Sequence, residues 1–64
     1  MKMIKFTAPS GLPVWVAPLW VTGVRSALPA EHTGATMIEM GGRLQVVMER
    51  PEDVVRALEQ NERA

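Results

Sequence analysis

The pair Gly41-Gly42 constrains this chain more than any other feature. It separates two runs of alternating, strand-forming residues, 35–40 and 43–48. A two-residue link between antiparallel strands follows their right-handed twist when its central residues take positive φ, which glycine does without steric cost. The spacing therefore predicts a hairpin. On its first strand Ile38 and Met40 share one face, and Met37 and Glu39 the other. On its second, Leu44, Val46 and Met48 alternate with Arg43, Gln45, Val47 and Glu49. A cross-strand contact of Glu39 with Arg43 or Gln45 is expected, with a small contribution to stability.

A second hairpin is expected near the N-terminus. Residues 2–7 alternate, with Ile4 and Phe6 on one side and Met3, Lys5 and Thr7 on the other. Ala8-Pro9-Ser10-Gly11 is turn chemistry, because proline presets φ and glycine tolerates positive φ. The strand at 13–17 then turns Val14 and Val16 one way and Trp15 the other, outward if the valines are core. Pro18 lacks an N–H and should end that strand or mark a bulge. A further strand is read at 20–28, with Trp20, Thr22, Val24, Ser26 and Leu28 on one face and a bulge or bend at Gly23. A polar loop covers 29–34.

The tail, 51–62, reads as a helix. Pro51 suits the first helical position, and Glu52 and Asp53 suit the positive end of the helix dipole. Arg50 is a weak N-cap. Val54, Val55 and Leu58 form the apolar stripe, with Ala57 beside it, and Glu52–Arg56 and Glu59–Arg63 are i,i+4 pairs. A helix of about three turns is marginal alone in water and must lie on the sheet. The fold class is therefore α+β. One small domain, 1–64, holds an antiparallel sheet of four to five strands in two hairpins, covered by one C-terminal helix.

The same stretches carry a resemblance. Phe6-Thr7-Ala8-Pro9-Ser10-Gly11, Val14-Trp15-Val16-Ala17-Pro18, Met37-Ile38-Glu39-Met40-Gly41-Gly42 and the run from Val46 to Val55 follow one order of strands, turns and terminal helix. In that order the chain resembles the small FlbD/SwrD-type proteins over residues from about 4 to 58. The resemblance implies a role associated with flagella and swarming motility. Ala17 and Leu19 stand where the family usually has Asn and an acidic residue.

Chemistry is sparsely provided. With no cysteine, neither a disulfide framework nor a thiolate zinc site is possible. His32 is the lone histidine, and no nucleophile or metal ligand stands at a supporting spacing, so it reads as a solvated loop residue. Glu49, Glu52 and Asp53 read as residues favoured at a helix N-terminus rather than as an acid–base site. Gly41-Gly42 leads into no helix and is not a phosphate loop. No catalytic residue and no cofactor are expected.

Contact is the more economical expectation. A chain of 64 residues buries only about 60% of its unfolded surface, and its net charge of zero gives no long-range repulsion between copies. Met37, Val47, Val21 and Ala27 are expected on a face opposite Ile38 and Val46. One helix covers one face, which leaves the other for a partner. The candidate interaction surface is Trp15, Trp20, Val21, Met37 and Val47, and the expected partner is first another copy of the chain, as a homo-oligomer, with an unidentified protein as the further partner.

The alternatives are an uncharacterised prophage-encoded protein and a small β-domain that binds single-stranded nucleic acid, with Trp15, Trp20, Lys2, Lys5 and Arg25 as the binding surface. Neutral charge opposes it, because phosphate neutralisation supplies most such affinity. Pro13 and Pro18 interrupt the apolar run at 12–21 and oppose a signal peptide. No run approaches the ~18 apolar residues of a spanning helix, so a cytoplasmic protein without membrane insertion is expected.

Overall fold

A computed structural model describes residues 2–28 and 34–62, with side chains through Gln60. The order is β1 (Ile4–Thr7), β2 (Pro13–Val16), a 3-10 turn (Pro18–Trp20), β3 (Gly23–Ser26), β4 (Thr36–Met40), β5 (Arg43–Val47) and α1 (Pro51–Glu62). The fold is α+β. β1 and β2 form a two-stranded antiparallel sheet, and β3-β4-β5 a three-stranded one. His32, most of the loop at 29–34 and the Glu59–Arg63 pair lie outside the described residues.

The first hairpin follows its alternation. Ile4 pairs with Val16 and Phe6 with Val14, and these side chains turn inward. Lys5 pairs with Trp15 on the outer side. The turn is closed by hydrogen bonds from the N–H of Ala8 to the carbonyl of Leu12 (2.8 Å) and from that of Gly11 to Ala8 (2.8 Å).

In the second hairpin Gly41 and Gly42 have φ of 53° and 91°, both in the region that non-glycine residues avoid. This turn pairs Met40 with Arg43, Ile38 with Gln45 and Thr36 with Val47. Even-numbered residues of β4 therefore meet odd-numbered residues of β5. Residues paired across strands share a face, so Val47 joins Ile38 in the core, and Val46 joins Met37 on the reverse. The expected grouping of Met37 with Val47, opposite Ile38 and Val46, is overturned by this register. Met37 and Val47 are both buried, at 5% and 0% exposure, and neither belongs to an open interaction surface. Glu39 stands opposite Leu44 rather than Arg43 or Gln45. Its carboxylate instead lies 3.7 Å from Arg25 on β3.

The segment expected as one strand at 20–28 divides. Pro18 starts the 3-10 turn, in which the N–H of Trp20 donates to Ala17 (3.0 Å) and that of Val21 to Pro18 (3.2 Å). Pairing with β4 resumes where the N–H of Thr22 donates to Glu39 (2.8 Å). Trp20 therefore does not continue the face of Val24, which pairs with Ile38. Gly23 marks no bulge: it pairs regularly with Glu39. A Cβ at residue 23 would lie 3.2 Å from Oε2 of Glu39, so the missing side chain leaves room for that carboxylate.

The helix closes the core. Val54 and Leu58, one turn apart, are buried against Ile4, Phe6, Val16, Ile38 and Val47, with Ala57 alongside. Val55 lies about 100° round the helix from Val54 and is exposed, so it is not part of the stripe. At the N-terminus the carbonyl of Arg50 accepts from the N–H groups of Asp53 and Val54, both at 3.0 Å. The Arg50 side chain meets Asp53 (3.2 Å) and Glu52 (3.6 Å). Arg56 pairs with Asp53 (3.7 Å) in place of the expected Glu52.

Candidate functional site

The sequence-derived surface residues divide into two groups. Met37 and Val47 are buried and Val21 is half-buried against the core. Trp15 and Trp20 are exposed, at 58% and 67%. Different local rules turn the two indoles outward. Trp15 alternates with the inward Val14 and Val16 on β2. Trp20 ends the 3-10 turn, which contains no buried residue.

The fold brings both indoles to one concave region. One hollow, of about 250 Å³, is lined by Met3, Trp15, Ala17, Trp20, Met40 and Arg43. A neighbouring, more open one, of about 550 Å³, is lined by Leu19, Trp20, Thr22, Met40, Gly41 and Arg43. The two share Trp20, Met40 and Arg43 and so adjoin, making up one shallow groove region. Met3 precedes β1 and flanks Trp15 from the neighbouring strand. Met40 and Arg43 are the paired residues on either side of the glycine turn. Met3, Leu19, Met40 and Arg43 were not anticipated as site residues. They come from three stretches distant in sequence, and only the approach of the 3-10 turn to the glycine turn, with Met3 beside β1, collects them.

The groove is apolar with one charge. Among the described residues Arg43 is the sole titratable side chain that lines either hollow, and no carboxylate among them does so. Among the described residues Arg43 has no ion-pair partner, whereas Arg25, Arg50 and Arg56 each face a carboxylate. Lys5 adds a second cation beside Trp15 in the first hairpin. Arg25 of the expected nucleic-acid surface is engaged with Glu39 on the three-stranded sheet.

The acidic cluster near the helix serves the fold. Glu49 does not point to the helix N-terminus as expected. Its carboxylate accepts hydrogen bonds from the N–H (3.0 Å) and hydroxyl (2.9 Å) of Thr7. Its carbonyl accepts from the hydroxyl of the buried Thr36. Asp53 acts on Arg50, raising the guanidinium pKa above its ordinary value by a hydrogen bond and by its charge, with Glu52 adding a smaller Coulombic effect. No group of three or more potential metal ligands is assembled among the described residues. No helix among them is long and apolar enough to cross a membrane.

No family model matches the chain, and no curated protein or solved structure is detectably similar to it.

Proposed function

We propose that this protein is a non-enzymatic protein-contact module and that the Trp15–Trp20 groove is its working surface. One observation carries the reading: two exposed indoles from different elements line the same mostly apolar hollow, and a second hollow adjoins it. Tryptophan and arginine are the residue types that most often dominate contact energetics, because each buries a large area around a polar handle. Methionine at 3 and 40 supplies adaptable apolar walls. Such a surface gains free energy when another polypeptide displaces its water. The resemblance to FlbD/SwrD-type proteins extends the proposal to an assembly role associated with motility.

The test separates contact from folding. Peptides selected from a random display library against the folded chain are titrated against wild type and a Trp15→Ser/Trp20→Ser variant. The variant is expected to keep the thermal transition within a few degrees of wild type and to lose binding at least tenfold. Equal binding by both proteins would show that the groove is not the contact surface.

A further inference from the structure

We propose that the groove's occupant is a segment of another protein that presents apolar side chains next to a carboxylate, with Arg43 as the residue that reads the carboxylate. This rests on the contact reading above and adds the chemistry of the partner.

Charge complementarity carries the inference. Arg43 lines both hollows, and among the described residues no carboxylate lines either of them. It is the one described arginine whose guanidinium has no ion-pair partner among the described residues. A guanidinium presents a planar fork of donors that matches a carboxylate in two-point contact. Placed against apolar walls, such a pair is less screened than one in open solvent. The two adjoining hollows, about 250 and 550 Å³, share Arg43. This geometry suits a chain segment that inserts successive apolar side chains on either side of one acidic residue.

The other occupants fit less well. A two-fold contact between copies through this groove would place both Arg43 side chains in one interface, with no carboxylate among the described lining residues to offset them. A nucleic-acid strand needs a track of cations along its backbone, and the groove is lined by a single one.

The experiment starts from the peptides that the display library yields. Synthetic copies are compared with versions in which each Asp becomes Asn and each Glu becomes Gln. The expected result is enrichment of acidic residues beside Leu, Phe or Trp. The amide versions should bind about two- to fivefold more weakly, the scale of a partly solvated ion pair. Arg43→Gln should weaken the acidic peptides by a similar factor and leave the amide peptides unchanged. Arg43→Glu should invert the preference towards Lys-bearing peptides. Circular dichroism of each variant checks that the fold is retained.

Peptides bound through Trp15 and Trp20 but with no acidic preference would overturn this proposal and leave the contact reading standing. Finding no peptide whose binding depends on Trp15 and Trp20 would remove both. A dimer in sedimentation that Trp20→Ser dissolves, or salt-sensitive binding of a single-stranded oligonucleotide that Trp15→Ser abolishes, would also overturn it in favour of that occupant.

Discussion

Glu49 holds Thr7 by two hydrogen bonds across 42 residues of sequence, one from the backbone N–H and one from the hydroxyl. The N–H of Met48 donates to the carbonyl of the same threonine at 2.8 Å. Three bonds thus fasten the end of β1 to the junction between β5 and α1. A fourth, from Thr36, ties that junction to the start of β4. The two sheets share no strand, so this junction joins the hairpins while the core fills the space between them. It is the hydrophilic counterpart of the Val54–Leu58 contact.

Removing that carboxylate should therefore loosen the whole fold. Glu49→Ala is expected to cost about 1.5–3 kcal/mol, the range for hydrogen bonds to a charged group. Thr7→Val, which retains the backbone donor, should cost about 1 kcal/mol. Urea unfolding of the two single variants and the double variant measures both. If the single losses simply add, Thr7 and Glu49 are not coupled and the clamp is incorrect.

Substitutions at Met37 and Val47 should act on stability rather than on binding. Met37→Ala is expected to cost about 2–5 kcal/mol. Val47→Ala should cost roughly 2 kcal/mol, from two lost methyl groups and the cavity they leave. Stability for a chain of this size is only ~3–10 kcal/mol, so both changes should lower the urea midpoint clearly. A Met37→Ala protein as stable as wild type would mean that this side chain is not core.

The glycine turn makes a stereochemical prediction. Gly42→Ala places a Cβ on a residue with φ of 91° and should cost about 1–2 kcal/mol. Gly41→Asn should be tolerated within about 0.5 kcal/mol, because asparagine accepts this turn conformation. Thermal unfolding of the pair checks the difference. Equal stability would place the turn in another conformation.

At Gly23 the outcome should be opposite. A regular strand glycine is about 0.5–1 kcal/mol less favourable than alanine. The new Cβ would crowd only the far end of Glu39, whose exposed pair with Arg25 is worth about 1 kcal/mol or less. Gly23→Ala should be neutral or raise stability by up to ~1 kcal/mol in urea titration. A loss above 1 kcal/mol would point to a bulge that requires glycine.

The exposed indoles predict a spectroscopic result. Acrylamide should quench both Trp15 and Trp20 efficiently in the folded state, and single Trp→Ser variants assign the two signals. Each variant should unfold within about 1 kcal/mol of wild type, since neither indole belongs to the core. Strong protection of either indole in a monomeric sample would be incompatible with this surface.

Local chemistry alone determined much of this protein. Alternation around Ile4, Phe6, Val14 and Val16 defines the first hairpin, Gly41-Gly42 defines the second, and Pro51 with its acidic neighbours starts the helix. These features act within a few residues and need no distant partner. The outward turn of Trp15 follows from the same alternation once its neighbouring valines are core.

Tertiary structure decided what depends on long-range approach. The parity that pairs Thr36 with Val47 was already in the two-residue glycine turn, but which face of that hairpin is core was decided by the helix that covers Ile38 and Val47. Proline at 18 released Trp20 from a strand face and set it beside Met40 and Arg43. Glu49 found Thr7 only because the chain leaves β5 beside the end of β1, where the N–H of Met48 donates to the carbonyl of Thr7. The groove is therefore invisible to periodicity: its walls come from four separate segments, and it exists only where the folded segments meet.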